Sequence, residues 1–470
     1  MRQRLRISFY LVCLLLAACD VKGLPVSPTP QGTTTGPTAI SETIPTPTEV
    51  SQQPNGGSGT ATIIPSRTAQ ADTGVIPTVS AGSAGENEQV LDVEADVAAV
   101  RELKAKEDVT ETFITRDQLR TNLIRDIDED YPKDEAQRDA LELWLMRLSE
   151  DRDLDLHQLF IDLYTENIAG YYDSEENKLF VLGDQKQLSP QARETLAHEF
   201  VHSLQDQHFD LDKLLPEDSL DDDRSMAIRS LVEGDATLAG VMYAYKHFTK
   251  EEFEEMVDES RNNPSDVIDR VPVYIRNGLL FPYEAGATFV GKLIEEGGFD
   301  RVNKALADPP ISSEQILHPD KYLQTPRDEP LPVTIPPLTS TLGTGWTYKD
   351  TGTLGEFDFS EILRENGAGA PGGSLDAPVD SAHGWGGGKY DLYQNGTNAL
   401  LFIDSRWDTA REAQEFYSAL QETFVTAKSE GDKLWSDGGR YFGLKYSGDR
   451  VTLISSTDRK ALDNALAAVK

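Results

Sequence analysis

The sequence predicts an α+β protein, in which a mainly helical region with a small β-hairpin precedes a small C-terminal α+β domain with an antiparallel sheet. Three observations predict this class. Apolar residues recur at helical spacing between residues 93 and 167, and the segment AGYYDSEENKLFVL has the composition of two short strands joined by a turn. Beyond residue 340, strand-like and helix-like segments follow one another in the order ββαββα.

The first 89 residues are predicted to precede the folded part of the chain. Residues 1–18 combine three arginines with a short apolar run, which is typical of a signal peptide. Residues 16–19 (LAAC) resemble the lipobox of bacterial lipoproteins. This resemblance implies that Cys19 is acylated and anchors the protein on the extracytoplasmic face of the cell membrane; simple secretion is the alternative. Residues 19–89 are rich in Pro, Thr, Ser and Gly and are predicted to form a disordered stalk.

The charge balance and the cysteine content limit the partners and cofactors of the chain. It carries 44 Lys and Arg against 80 Asp and Glu, a formal net charge of −36. Because phosphate recognition depends on an excess of basic side chains, we expect no nucleic-acid partner. The only cysteines are Cys13 and Cys19, so any metal site further along the chain must use His and carboxylate ligands.

The helical region is predicted to span residues 90–324. Its hairpin comprises residues 170–173 and 178–182, around a short turn. Ser189 followed by Pro190 predicts a helix start, since Ser is a preferred N-cap and Pro fits the first helical turn. The predicted helices are 93–106, 116–127, 134–149, 156–167, 190–207, 225–248 and 283–296, the last closed by Gly297 and Gly298.

A Pro-rich segment, residues 325–340, is predicted to link the helical region to the C-terminal domain, residues 341–470. Four segments of this domain have strand composition, and two have helical spacing. The predicted strands are 389–395, 399–407, 440–447 and 450–456, and the predicted helices are 409–423 and 459–469. Pairs of strands that alternate with single helices predict one antiparallel sheet.

His198, Glu199 and His202 form an H-E-x-x-H motif within the helix predicted at 190–207. Two histidines four residues apart lie on one helix face about a turn apart, so both imidazoles can reach one zinc ion. Glu199 projects beside them, where a general base can take the proton of a zinc-activated water. The motif therefore predicts peptide-bond hydrolysis by zinc; a chance pentapeptide on a polar helix is the alternative.

Two later segments strengthen the zinc interpretation. LVEGDAT contains Glu233 and FPYEAG contains Tyr283, and both follow the motif along the chain. With them the sequence resembles the gluzincin metallopeptidases, and the E-G-x-A and P-Y-E-x-G patterns resemble those of leukotriene-hydrolase-type aminopeptidases. The resemblance implies a zincin-like catalytic domain in which His198, His202 and Glu233 hold zinc. It also implies that Tyr283 hydrogen-bonds the tetrahedral intermediate.

The chain departs from that template in two places. No G-x-M-E-N motif precedes the zinc helix, so endopeptidase and exopeptidase activity both stay open. The segment 170–182 stands there instead, and its second strand is a candidate edge for pairing with an extended substrate. Thr237 stands where many gluzincins have an Asp, which makes Asp235 and Asp206 candidates for the hydrogen bond that orients a zinc-bound imidazole.

Three further groups offer alternative roles. His208 lies where metzincins place a third zinc-binding His, but Gln205 replaces the Gly that turns the chain there, so a helix-end histidine is the stronger interpretation. His318 is a candidate hydrogen-bond donor to the reaction intermediate, or simply part of a loop. The three aspartates at 221–223 are candidates for a calcium site, although acidic runs on loops usually face solvent.

The sequence as a whole predicts a lipid-anchored, extracytoplasmic zinc metallopeptidase that acts on a peptide or protein substrate. The alternative from another functional class is a surface lipoprotein that binds a partner and whose zinc site is structural or inactive. Glu199 favours the enzyme, because a structural zinc site needs no general base and normally closes its fourth position. The sequence indicates neither the specific substrate nor the oligomeric state.

Overall fold

The helical region is built around a small three-stranded sheet. In the computed structural model the described residues are 84–174, 176–182, 188–216, 220–262, 267–268, 270–367 and 379–469. The helices up to residue 323 are α1 (Ala84–Arg101), α2 (Arg116–Asp130), α3 (Lys133–Leu145), α4 (Leu156–Asn167), α5 (Pro190–Phe209), α6 (Leu211–Leu214), α7 (Asp222–His247), α8 (Lys250–Asn262), α9 (Val273–Ala307), α10 (Ser313–Leu317) and α11 (Pro319–Leu323). The strands are β1 (Thr110–Ile114), β2 (Gly170–Asp173) and β3 (Lys178–Leu182).

The predicted signal peptide, Cys19 and the predicted stalk up to residue 83 lie outside the described residues. Helix α1 begins at Ala84, so residues 84–89, predicted as the end of the stalk, belong to a helix. Within the described ranges, no helix combines the length and the apolar character needed to cross a membrane.

The three strands of the small sheet pair in the order β1–β3–β2. β3 pairs in parallel with β1 and antiparallel with β2, and Tyr171 lies opposite Phe180 in the hairpin. The hairpin has its predicted bounds, whereas β1 has no counterpart among the predicted strands. Because β3 has a neighbour on both sides, its predicted position as an edge strand is wrong. The edge that faces α5 belongs to β2, whose Tyr172 donates a backbone hydrogen bond to Glu199.

Two helices end four or five residues earlier than predicted, because a residue in the left-handed region follows each of them. α1 ends at Arg101 rather than at residue 106, and Glu102 has a φ of 58°. α3 ends at Leu145 rather than at residue 149, and Arg147 has a φ of 64°. Residues with a Cβ rarely adopt positive φ, so the spacing of apolar residues does not reveal these ends.

Helix α9 differs most from its predicted extent, 283–296. It runs over Val273–Ala307 and includes Pro282. Proline lacks the N–H for a helical hydrogen bond and often marks a helix start, but the packing of α9 against α7 offsets that loss here. The predicted stop at Gly297 and Gly298 is a kink, with Gly298 at φ 63°, after which the helix resumes.

Helices α7 and α9 cross in direct backbone contact. Gly234 of α7 lies against the backbone carbonyl group of Gly286 in α9, and Gly286 lies against the backbone of Ser230, one turn earlier on α7. A Cβ at either glycine would overlap these backbone atoms. Both positions therefore require glycine, and each glycine belongs to one of the two motifs, E-G-x-A and P-Y-E-x-G, that carry the metallopeptidase resemblance.

Residues 339–468 form an antiparallel sheet with its helices. The helices are α12 (Thr339–Leu342), α13 (Glu356–Glu365), α14 (Ala410–Glu422) and α15 (Arg459–Ala468), and a 3-10 turn covers Asp380–Ala382. The strands are β4 (Thr347–Thr353), β5 (Trp385–Asn395), β6 (Asn398–Trp407), β7 (Lys428–Gly431), β8 (Leu434–Asp437), β9 (Arg440–Ser447) and β10 (Arg450–Ser456). Their order is β4–β5–β6–β10–β9–β8–β7. The four predicted strands are the contiguous β5, β6, β10 and β9, and the predicted α+β class is confirmed.

The helical region and the C-terminal sheet share a hydrophobic core. Trp144 and Leu145 of α3 pack in one cluster with Trp385 of β5 and Trp407 of β6. The guanidinium of Arg440 in β9 also donates to the backbone oxygen of Trp144. The described residues accordingly belong to one compact unit, although the chain between α11 and α12, predicted as a linker, contains no helix or strand.

We expect Gly286→Ala to destabilise the protein, because the new Cβ forces α7 and α9 apart; overpacking of this kind costs about 1–3 kcal/mol. Gly291→Ala on the same helix is the matched control, since its Cβ would meet Leu238 at 3.8 Å, an ordinary contact. Replacing a helical glycine by alanine stabilises by about 0.5–1 kcal/mol. Urea unfolding measures both free energies of unfolding, and equal effects of the two substitutions would contradict the close crossing.

Candidate metal centre

Two histidines of α5 and one glutamate of α7 converge on a single point. His198 Nε2 lies 3.1 Å from His202 Nε2 and 3.2 Å from Glu233 Oε2. His202 Nε2 lies 3.4 Å from the same carboxylate oxygen, and all three side chains are buried. The spacing of four residues puts both imidazoles on the face of α5 that packs against α7, and that packing brings Glu233 to them.

The spacing of these three atoms fits a tetrahedral zinc ion. Bonds of about 2.0–2.1 Å at tetrahedral angles separate neighbouring donor atoms by about 3.3 Å. The separations in the structure are 3.1, 3.2 and 3.4 Å. Imidazole nitrogen and carboxylate oxygen are also donors that zinc accepts. The residues present therefore fit zinc, and His198, His202 and Glu233 are the residues that would hold it.

Gln205, three residues after His202 on α5, sets the orientation of the His202 ring. Its side-chain amide donates to the backbone oxygen of Val232 at 3.0 Å and to Asp235 Oδ2 at 2.9 Å. Its oxygen therefore accepts from His202 Nδ1, at 2.9 Å. In the neutral ring, the lone pair of Nε2 then points to the site. The sequence indicated Gln205 only as the residue that replaces the metzincin glycine; its spacing from His202 is the signal that points to this role.

Asp235, one of the two predicted partners of an imidazole, acts through Gln205. Its other oxygen, Oδ1, lies 2.6 Å from Arg101 Nε, and both side chains are fully buried. Arg101 also donates to Asn303 Oδ1 at 2.7 Å and lies over the ring of Phe299. A chain of buried polar contacts thus joins α5 to α1 and to the last part of α9.

Glu199 borders the converging side chains on the side of β2. Its Oε2 accepts a hydrogen bond from the backbone N–H of Tyr172 at 3.1 Å. The hydroxyl of Tyr172 in turn donates to Asp206 Oδ2 at 2.9 Å, so Asp206 supports β2. Among the described hydrogen bonds, neither Asp206 nor Asp235 meets an imidazole directly, which is where the structure differs from the expected arrangement.

Tyr283 of α9 lies beside His198. The two rings are stacked with their centroids 6.1 Å apart, and Tyr283 is buried. Gly286, one turn later, is the glycine that brings α9 against Gly234 of α7, and Glu233 is the neighbour of Gly234. The close crossing therefore places Tyr283 and Glu233 within one turn of the same backbone contact.

The two carboxylates of the site have opposite pKa shifts. Burial raises the pKa of Glu199 to about 8. Glu233 is equally buried, but the imidazoles beside it, His202 above all, outweigh burial and lower its pKa to about 2. Burial also lowers the pKa of His198, whereas at His202 the carboxylate of Glu233 overcomes burial and raises the pKa to about 9. The site therefore favours positive charge beside Glu233.

The two other histidines considered in the sequence have partners of their own. His208 Nε2 donates to the backbone oxygen of Lys104 at 2.8 Å, near the end of α5. It does not join the converging side chains. His318 Nε2 lies 2.9 Å from Glu356 Oε1, in a separate group of side chains.

The three aspartates at 221–223 each make a structural contact. Asp221 caps the N-terminus of α7. Asp222 accepts from the backbone N–H of Thr353 at 3.3 Å. Asp223 is buried and accepts from the backbone N–H of Ser313 at 2.9 Å. The aspartates therefore tie the start of α7 to α10 and β4, and the expectation that the whole run faces solvent is wrong for Asp223.

We expect Arg101→Leu to destabilise the protein by about 3–5 kcal/mol, because it leaves the carboxylate of Asp235 buried without its cation. Arg411→Leu is the matched control, since the pair of Arg411 with Glu415 lies on the surface, where ion pairs contribute about 0–1 kcal/mol. Urea unfolding at neutral pH measures both variants. A loss below about 1 kcal/mol for Arg101→Leu would contradict the buried ion pair.

Comparisons with known proteins bear on the C-terminal sheet. A family model described as Domain of unknown function (DUF8575) matches residues 344–466, about a quarter of the chain, which covers β4 and most of α15. Neither the curated proteins nor the solved structures gave a match. His198, His202 and Glu233 lie outside the matched segment, so a role for them rests on their own geometry.

Proposed function

We propose that this protein is a lipid-anchored, extracytoplasmic zinc metallopeptidase of the gluzincin type, acting on a peptide or protein substrate. One observation carries the proposal. His198 Nε2, His202 Nε2 and Glu233 Oε2 converge at the donor spacing of tetrahedral zinc, with the carboxylate of Glu199 alongside. The anchor rests on the sequence around Cys19.

The donor set supports a catalytic ion rather than a structural one. Structural zinc sites close all four positions with protein ligands, many of them cysteines, whereas catalytic sites use three and leave the fourth for water or substrate. His198, His202 and Glu233 are three ligands, and the chain has no cysteine after Cys19. Glu199 adds the carboxylate that proton transfer requires.

Each residue of the site has its own role in the proposed hydrolysis. When bound, zinc lowers the pKa of a water ligand to about 7 and polarises the substrate carbonyl. Glu199 takes up the proton that the attacking water loses and delivers it to the amine that leaves. Tyr283 donates a hydrogen bond to the oxygen that becomes negative in the transition state. Gln205 keeps His202 in the tautomer and orientation that ligation needs.

The edge of β2 is the proposed binding surface for the substrate backbone. In the described sheet β2 pairs only with β3, and on its other side the N–H of Tyr172 points at Glu199. An extended peptide that adds a strand to this edge would lie beside the proposed general base. Backbone hydrogen bonds to this edge could position either an internal or a terminal peptide bond of the substrate. The products of the substrate assay therefore distinguish an endopeptidase from an exopeptidase.

The burial of the site favours a second candidate, a surface lipoprotein with a structural zinc ion. Glu199 and the three converging residues are at most 4% exposed, as in a site that is closed to solvent. In that case the protein binds a partner and Glu199 has no chemical role. The two candidates differ in the effect of replacing Glu199.

We expect His202→Ala and Glu233→Ala each to remove one equivalent of bound zinc from the full-length protein, because two donors hold the ion far more weakly than three. His208→Ala is the control and should leave the zinc content unchanged, since His208 bonds to Lys104 instead. Elemental mass spectrometry of the desalted proteins gives the zinc content. Loss in His208→Ala together with retention in Glu233→Ala would favour the metzincin arrangement.

We expect Glu199→Gln to retain zinc and to lower kcat by about 10²–10⁴-fold, because an amide cannot accept the proton of the attacking water. The substrate is any peptide from a broad library that the wild-type protein cleaves and whose cleavage a metal chelator inhibits. Unchanged turnover by Glu199→Gln would refute the mechanism. A wild type that holds zinc and cleaves no peptide of the library would favour the binding lipoprotein.

Tyr283→Phe should also retain zinc and should lower kcat by about 10²–10³-fold, if its hydroxyl meets the developing oxyanion. Tyr243→Phe is the matched control, because Tyr243 is another buried tyrosine and stacks on His247 near the end of α7. It should turn over as the wild type does. Equal kcat values for the two variants would remove Tyr283 from the mechanism.

A further inference from the structure

A second group of metal-binding side chains lies where the helical region meets the C-terminal sheet. His318 joins α10 to α11, and Glu356 is the first residue of α13. His383 follows the 3-10 turn Asp380–Ala382 and precedes β5. The proposed hydrolysis uses none of these three side chains.

The donor atoms of this group are close enough to share one ion. His318 Nε2 lies 2.9 Å from Glu356 Oε1, and the rings of His318 and His383 are perpendicular, with centroids 5.0 Å apart. One donor atom of each side chain falls within 4.8 Å of the other two. His383 is exposed, which leaves room for its ring to turn toward the other two donors; a tetrahedral zinc ion would hold the donors about 3.3 Å apart.

Glu356 is the strongest sign that this group binds a cation. Its side chain is fully buried, and Oε2 has no hydrogen-bond partner among the described residues. An ionised carboxylate in the interior is costly unless it is paired or binds a metal. A divalent cation would satisfy the second oxygen and keep the carboxylate ionised.

A neighbouring group of carboxylates differs from this one, because it already has a cation. Glu314, Asp328 and Asp408 surround the ammonium of Lys321 at 2.6, 2.9 and 2.9 Å. That neighbouring all-carboxylate group is therefore occupied by a cation of the protein itself.

We propose that His318, Glu356 and His383 form a second metal site, which takes zinc or another transition metal ion that binds imidazole. Two imidazoles and one carboxylate are donors that such ions prefer. Because His383 is exposed, the ion can enter from solvent. Bound there, it ties the junction of α10 and α11 to α13 and β5, and so stabilises the contact between the helices and the sheet.

The test is the zinc stoichiometry of the full-length protein, measured by elemental mass spectrometry after equilibration with zinc and desalting. We expect two zinc ions per chain in the wild type, one in His383→Ala, one in His202→Ala and none in the double variant. His208→Ala is the matched control and should retain both ions. The two single variants report on different sites, so failure of the proposed catalytic centre and failure of the second site are distinguishable.

Two further measurements cover the case in which a variant folds poorly. Glu356→Gln preserves the shape of the side chain and should lose one zinc ion with an unchanged circular dichroism spectrum. Zinc should raise the Tm of His202→Ala, which keeps only the second site, and should leave the Tm of the His202→Ala/His383→Ala variant unchanged. A wild-type zinc content in both His383→Ala and Glu356→Gln would overturn the second site, whatever the result at His202.

Discussion

The backbone contact between α7 and α9 is the interaction on which the geometry of the candidate metal centre depends. Gly234 and Gly286 allow the two helix backbones to touch, and neither position has room for a side chain. Glu233 precedes the first glycine, and Tyr283 lies one turn before the second, so one contact sets the positions of both. The glycines of the two motifs are thus structural, and the candidate chemistry lies with their neighbours.

A second constraint comes from the polar groups buried beside the centre. The ring of His202 is oriented by Gln205, Gln205 is held by Asp235, and Asp235 is held by Arg101 of α1. Because a buried polar group is costly when it lacks a partner, each member of this chain restricts the next. Helix α1, which begins within the segment predicted as stalk, is therefore coupled to the orientation of a candidate zinc ligand.

Features that depend on residues close together in the sequence were predicted correctly. Features that depend on contacts between distant parts of the chain were missed. Pro190 marks the start of α5 as predicted, because an N-cap serine and a proline act within one helical turn. The helix predicted to start at residue 283 begins instead at Val273, since packing against α7 makes Pro282 tolerable inside α9. Spacing likewise indicated that His198 and His202 share a helix face. The contacts of Gln205 with α7 depend on how two helices pack, which no local pattern contains.

The two carboxylates beside the histidines lie in different environments. Glu233 faces both imidazoles, and a pKa of about 2 keeps it ionised, as a metal ligand must be. Glu199 is the neighbour of His198 along the chain but faces the backbone of β2, and burial raises its pKa to about 8. A general base must both take up a proton and release it near neutral pH. The proposed hydrolysis uses this difference, because it assigns metal binding to Glu233 and proton transfer to Glu199.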